Sequence, residues 1–485
     1  MDPNVHPLEP STEEMRAMLA EVTDRIVDHI ESLPHQPASY VTDGKAEARS
    51  VAEPMPETGT KFNELLDLLF QRAIPPSFNT AGPGYLAYIP GGGLFPSAMA
   101  DLIANAVNRY VGVWVAAPAL VQIELNVVRW FCEIVEYPSE AGGILTSGGS
   151  LANFTAIVTA RREKLPAAFT SGAIYTSTQT HHSVRKAAVM AGFPEANVRA
   201  IPSNHRFEID HQILRTRIHE DREDGLTPFL VVANAGTTNT GAIDPLDALA
   251  DLAEAEKLWL HVDGAYGAPF MLTARGRQAM SGISRADSIT LDPHKGLFLP
   301  YGTGALLVRD AEALRRAHAT FADYMPTMQH DVDFVDFCDV SPELSRDFRG
   351  LRAWLPIKLF GMQAFRDSLD EKMDLARWAA GQLRTMAGVE ILAEPRLSLT
   401  AFRLAPAGRP ENELNELNRM LLRQINAQQN VYMTGTVLDG RFALRICVLS
   451  FRTHRDRMEQ CLDDIRDAIS ALVPELAREG VTPPQ

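Results

Sequence analysis

The chain has 485 residues, 46% hydrophobic and 22% charged, with a formal charge of -15 and an isoelectric point near 5.4. These proportions are ordinary for a globular protein of about three domains, and the acidity excludes nucleic acid as a partner, because phosphate binding needs basic patches. Cys132, Cys338, Cys447 and Cys461 form no C-x-x-C pair, so neither a disulfide framework nor a metal site is expected.

The opening "MDPNVHPLEP" lacks the charged start and apolar core of a signal peptide. Asp101, Asn105, Arg109, Pro118 and Glu124 interrupt the most apolar stretch, Ser97 to Phe131, so no membrane span is expected and the cytoplasm is the expected location. Residues 11–33 predict an amphipathic helix. Ser11 and Glu14 make a capping box, Met15, Met18, Leu19, Val22, Ile26, Ile30 and Leu33 keep helical spacing, and Pro34 stops it. The polar, Pro-rich text that follows offers this helix no local core, so its apolar face is expected to pack on another domain or subunit.

From Gly142 to Val308 short apolar runs alternate with helical text: "GGILTS" with "GGSLANFTAIVTARRE", "GAIYTS" with "THHSVRKAAVMAG", "PFLVVANAG" with "DPLDALADLAEAEK", then "LWLHVDGAY" and "DSITLD". This pattern predicts an α/β domain with a mostly parallel, doubly covered sheet. The acidic, weakly periodic segment 321–348 is expected to be a lid over the active site. Beyond it, helical text and strands such as "LSLTAFRLA" and "ALRICVLS" predict a smaller α+β domain. The expected division is 1–88, an N-terminal helical segment; 89–364, the large domain; and 365–485, the small domain.

Polar oddities fall just after strands, where open parallel sheets bind ligands. "TSGGS" places Gly148 and Gly149 before a helix with Ser150 as its expected N-cap, an arrangement suited to an anion. His181 and His182 open a helix, Thr237 and Thr238 end a strand, and Asp263 closes the apolar run "LWLHV". Lys295 follows Ser288, Asp292 and His294. Turn chemistry, capping or a solvated loop explains each of these singly. Their joint order supplies what pyridoxal phosphate needs: a lysine for its aldehyde, donors for its phosphate, a flat group for its ring and a carboxylate for its pyridine nitrogen.

"TSGGSLAN", "THHS", "HVDGAYG" and "DPHKGL", with "GYLAYIP", "AAPALVQIELNVVRWFCEIVEYP" and "ELSRDFRGLRAW", together resemble the group II pyridoxal-phosphate-dependent amino-acid decarboxylases, the family of aromatic-L-amino-acid decarboxylase. The resemblance runs from about Met15 to the C-terminus. It implies the fold type I of pyridoxal-phosphate enzymes (aspartate aminotransferase-like), with a seven-stranded sheet, and a homodimer whose N-terminal segment crosses the partner at an interfacial active site.

By that resemblance Lys295 would form the Schiff base, His181 would stack on the ring, Asp263 would hold the pyridinium and Ala265 would face the ring's other side. Gly149, Ser150, Ser288 and His294 would surround the phosphate, and Thr237 would lie near the phenolic edge. The activity implied is a carboxy-lyase taking an aromatic L-amino acid (tryptophan, tyrosine, phenylalanine or dopa) to its amine and CO₂.

Three departures bear on this. Counted back without gaps from "LSRDF", Phe337 falls where relatives often carry a proton-donating tyrosine, and on that register an oxygen-dependent route to the aldehyde is the alternative; Tyr324 upstream is another phenol. Gly112 stands where a bulky aromatic is often found, implying a roomier pocket with Trp114 and Tyr85 on its walls. An acidic substrate such as glutamate, aspartate or a sulfinate would need an extra arginine, for which Arg109 and Arg445 are candidates.

Overall fold

The computed structural model describes residues 8–40, 44–320 and 334–473; Tyr324 and residues 321–333 of the expected lid lie outside them. Seven strands form one sheet: β1 (Gly142–Thr146), β2 (Gly172–Ser177), β3 (Val198–Ile201), β4 (Thr227–Asn234), β5 (Trp259–Asp263), β6 (Ser288–Leu291) and β7 (Gly304–Val308). Their order is β1-β7-β6-β5-β4-β2-β3. The pairings among β3, β2, β4, β5 and β6 are parallel, and β7 runs antiparallel between β6 and β1.

Both faces of this sheet are covered, and the strand residues alternate between two cores. Val231, Ala233, Leu260, Val262, Ile289 and Leu291 face one of them, whereas Leu230, Val232, Trp259, Leu306 and Val308 face the other. On the Trp259 side, the period of two also brings His261, Asp263, Ser288 and Thr290 to one face. These polar residues lie under the helix Gly149–Lys164, whose buried side includes Ala152, Asn153 and Ala156.

A second sheet, antiparallel in the order β10-β11-β9-β8, holds β8 (Val389–Ala393), β9 (Leu399–Leu404), β10 (Thr434–Leu438) and β11 (Arg441–Cys447). Helices Glu411–Ala427 and Arg455–Leu472 pack on it through Leu421, Ile425, Leu462 and Ile465. The helical stretch Arg349–Arg384 bridges the two units, and at Gly361 its backbone turns to φ 70°, ψ 157°, breaking the helix there.

The first helix spans Thr12–Ser32. The Ser11 hydroxyl accepts from the Glu14 N–H at 3.2 Å and the Glu14 carboxylate accepts from the Ser11 N–H at 2.7 Å. None of its residues is buried, and Met15, Met18, Leu19 and Val27 stand exposed. Among the described residues, no helix is long and apolar enough to cross a membrane.

Candidate active site

The C-terminal ends of β1, β2, β4, β5 and β6 converge on a cavity of about 290 Å³, near the lower end of the usual range for small-ligand pockets. Gly149, Ser150, His181 and Thr237 line it, and so do Asp263, Ala265, His294 and Lys295. Strands of apolar residues bring these polar groups together by ending at the same edge of the sheet.

β6 leads through Asp292 into the short helical turn Pro293–Gly296 that carries Lys295. The Lys295 ammonium lies 3.1 Å from Asp292 Oδ2, and Asp292 is 2% exposed. This pairing supplies the donor that an extra carboxylate in a phosphate-binding turn requires. Asp292 Oδ1 is buried with no hydrogen-bond partner. His294 Nδ1 lies 2.5 Å from the Thr303 carbonyl, which can only accept, so Nδ1 carries the proton.

Asp263 ends β5 and is 9% exposed. Its Oδ2 accepts from Asn153 Nδ2 at 3.0 Å and its Oδ1 accepts from the Ala265 N–H at 3.2 Å. His181 caps the helix His182–Met190, its Nδ1 lying 2.8 Å from Ser183 Oγ and 3.4 Å from the Ser183 N–H. An accepting Nδ1 puts the ring proton on Nε2. Burial pulls the His181 pKa below 6.5, overriding the upward pull of Asp263.

Thr237 is held by Thr240 Oγ1 at 2.8 Å, and its oxygen accepts from the Ala242 N–H. The glycine-rich turn after β1 opens the helix Gly149–Lys164 with no side-chain cap. Its N-cap is Gly148, so Ser150 sits inside the first turn and is not the cap that the sequence suggested. A Cβ at 149 would stand 2.9 Å from Asp292 Oδ2 and 3.3 Å from Ala265 Cβ, so a side chain there would displace the Asp292 carboxylate.

The other expected residues lie outside this cavity within the single chain. Ser288 lies at the start of β6, opposite its Asp292 end, and is fully buried between Trp259 and His261, away from the cavity. Phe337 is 0% exposed in its own protomer's core, under the Arg346 guanidinium at 4.6 Å, so it has no surface left to meet a substrate. At Gly112 a Cβ would meet the Tyr110 hydroxyl at 2.2 Å, so the glycine accommodates the Tyr110 ring. Trp114 packs on Phe334 at 4.5 Å, and Tyr85, 3% exposed, packs beside Phe78 and Tyr432, which stack on each other at 4.5 Å. None of these five lines the cavity in this protomer.

Sequence reading missed the groups behind the pocket. Asn153 touches Asp263, and Ser183 touches His181. His261 stands two residues before Asp263 on the same strand face. That i, i+2 spacing of polar residues in an apolar run was the available signal.

Sheet order and strand-end pocket define an enzyme of the pyridoxal-phosphate fold type I. The chain belongs to the pyridoxal-dependent decarboxylase family, whose conserved-domain model matches residues 47–405. It is 35% identical over 461 residues to an aromatic-L-amino-acid decarboxylase of Bacillus atrophaeus, covering 95% of this chain and 96% of that one. The structure of Catharanthus roseus tryptophan decarboxylase in complex with L-tryptophan is similar at a TM-score of 0.90 and 28% identity, covering 97% of this chain and 100% of that one. Oryza sativa TDC, solved with pyridoxal phosphate and tryptamine, gives 0.89 and 26%, covering 98% and 99%.

This chain is therefore a pyridoxal-phosphate-dependent amino-acid decarboxylase. Its residues fit the cofactor. An uncapped helix start, the unpartnered Asp292 Oδ1 and the lysine meet in one cavity, with a carboxylate across from them.

Proposed function

We propose that the chain decarboxylates an aromatic L-amino acid (tryptophan, tyrosine, phenylalanine or dopa) to the amine and CO₂. The observation that carries the reading is the single cavity shared by Lys295, Asp263, His181 and the open helix start at Gly149. The aromatic substrate is supported by the relatives' names and by the arginines. Arg445 is 4% exposed and donates to the carbonyls of Thr238 and Asn239 and to Thr434 Oγ1, so its guanidinium is committed to the protein. Arg109 is exposed and does not line the cavity. Neither serves an acidic substrate.

When bound, the cofactor supplies an electron-poor pyridinium that accepts the electron pair left as CO₂ departs. Lys295 would hold the cofactor through its aldehyde and would be the group that the substrate amine replaces. Asp263 keeps a proton on the pyridine nitrogen, with Asn153 and Ala265 fixing its two oxygens. The N–H groups at the start of the helix Gly149–Lys164, with Ser150 and His294, take the phosphate. Thr237 would lie near the cofactor's phenolic edge, and Ala265 and His181 would flank its ring. His181 would lie against the cofactor's ring, and in its protonated form it would be the acid that returns a proton to Cα.

We further infer a cytoplasmic homodimer with the division 1–88, 89–364 and 365–485. The uncovered face of the first helix and the exposed Met99, Leu102, Ile103 and Val107 of the helix Phe95–Val107 support the dimer. The four cysteines, all free, suit a reducing compartment. The break at Gly361 lies close to the proposed second boundary.

The test is to incubate cofactor-loaded protein with tryptophan, tyrosine, phenylalanine, dopa, histidine and glutamate while CO₂, amine, aldehyde and hydrogen peroxide are followed. Amine and CO₂ from an aromatic substrate without peroxide is expected. Aldehyde with peroxide would replace the product assignment, and turnover of glutamate alone would overturn the substrate class.

A further inference from the structure

Both reactive side chains that flank the cavity are held from behind by one buried amide. Asn153 is 1% exposed. Its Nδ2 donates to Asp263 Oδ2 at 3.0 Å and reaches Ser183 Oγ at 3.2 Å. Its Oδ1 accepts from Thr290 Oγ1 at 2.7 Å and lies 3.0 Å from His261 Nε2. All of the amide's hydrogen-bonding positions are used.

The direction of every bond in this chain follows from its two ends. Trp259 Nε1 can only donate, and it lies 2.8 Å from Ser288 Oγ. The Ser288 hydroxyl proton is then free to go to His261 Nδ1 at 2.8 Å. With Nδ1 accepting, the proton of a neutral ring sits on Nε2 and points at Asn153 Oδ1. Burial pushes His261 down to about 4, so the ring is neutral across the ordinary pH range. That fixes the amide with Nδ2 toward Asp263, whose carboxylate only accepts. A flipped amide would set its NH₂ against the His261 N–H and turn an oxygen lone pair on the carboxylate.

The second Nδ2 proton goes to Ser183 Oγ, leaving the Ser183 hydroxyl to donate to His181 Nδ1. The His181 ring proton is thereby kept on Nε2, toward the cavity. The line Trp259, Ser288, His261, Asn153 thus divides into two branches, one ending on Asp263 and one on His181.

We infer that Asn153, locked in one orientation by His261 and Thr290, is a positioning residue that presents the Asp263 carboxylate to the cofactor's ring nitrogen and holds His181 as the Nε2–H tautomer. The inference rests on the proposed role of the cavity. Removing the amide strips a donor from Asp263, making it a stronger base for the ring-nitrogen proton, and frees His181 to change tautomer.

The experiment loads wild type, Asn153→Ala, Thr290→Val, His261→Gln and His261→Phe with pyridoxal phosphate labelled with nitrogen-15 in the ring. It reads the nitrogen-15 shift together with kcat and KM. Wild type should show a protonated ring nitrogen. Asn153→Ala should move the resonance toward the unprotonated position and lower kcat at least ~10-fold with KM within about twofold. His261→Phe should do the same more weakly, while His261→Gln, whose amide N–H can replace the imidazole donor, should restore both readings. Thr290→Val is nearly isosteric, and it should give an intermediate shift even if the alanine variant does not fold. A wild-type resonance and kcat within twofold in Asn153→Ala, or in Thr290→Val where only that variant folds, would overturn the inference. Failure of wild type to bind the cofactor through Lys295, read by borohydride trapping, would instead sink the reading of the cavity itself.

Discussion

His261 makes the stability of the apoprotein depend on acid in a way that its replacement should remove. Its imidazole is 1% exposed, and burial lowers its pKa from 6.5 to about 4. Below pH 6.5 the unfolded chain takes up a proton here that the native chain refuses until about pH 4. Native stability is therefore complete above the upper value and falls as the pH drops through the window. The full shift corresponds to about 3 kcal/mol at roughly 1.4 kcal/mol per unit, of which about 2 kcal/mol is lost between pH 7.5 and 5.0. Urea unfolding of wild type and His261→Gln at those two pH values isolates the effect, because other groups such as His318 titrate alike in both proteins. Wild type should be the more stable at pH 7.5, and its advantage should shrink by about 2 kcal/mol at pH 5.0. An advantage equal at both pH values would refute the assignment of a buried, neutral His261.

Replacing Asp263 by Ala should lower single-turnover decarboxylation by about 10³-fold or more, the scale of losing a preorganised charge beside the reacting centre. Glu124→Gln should cost about 3–5 kcal/mol in urea unfolding, because it removes the carboxylate charge 2.5 Å from Arg346, whose side chain is 1% exposed. Deleting residues 1–33 should raise the dissociation constant of the proposed dimer at least tenfold in sedimentation equilibrium, since no residue of the first helix is fully buried within the chain; an unchanged constant would remove that helix from the interface.

What could be read from the chain was what depends on near neighbours. The capping box of Ser11 and Glu14 closes within one turn, and the polar residues at strand ends stand out against apolar runs. Lys295, Asp263 and His181 stand out in that way, and the fold brings all three to one cavity. Ser288 was misplaced because it is close to Lys295 in sequence, yet the length of β6 separates it from Asp292. Ser150 reads as a cap because serine favours that position, but Gly148 takes the N-cap and the helix starts at Gly149. Ungapped spacing put Phe337 at the pocket; the turn Phe337–Val340 puts it into the core. Asn153 and His261 gain their meaning only when a helix and two strands meet in register, and one sequence alone does not display that register.

The most direct test of the central claim is to reduce the cofactor-loaded enzyme with borohydride, digest it and locate the modified residue by mass spectrometry. We expect the phosphopyridoxyl group on Lys295, in the peptide that follows β6, and no such adduct in Lys295→Ala. Modification of another lysine such as Lys186 or Lys372, with Lys295 untouched, would contradict it.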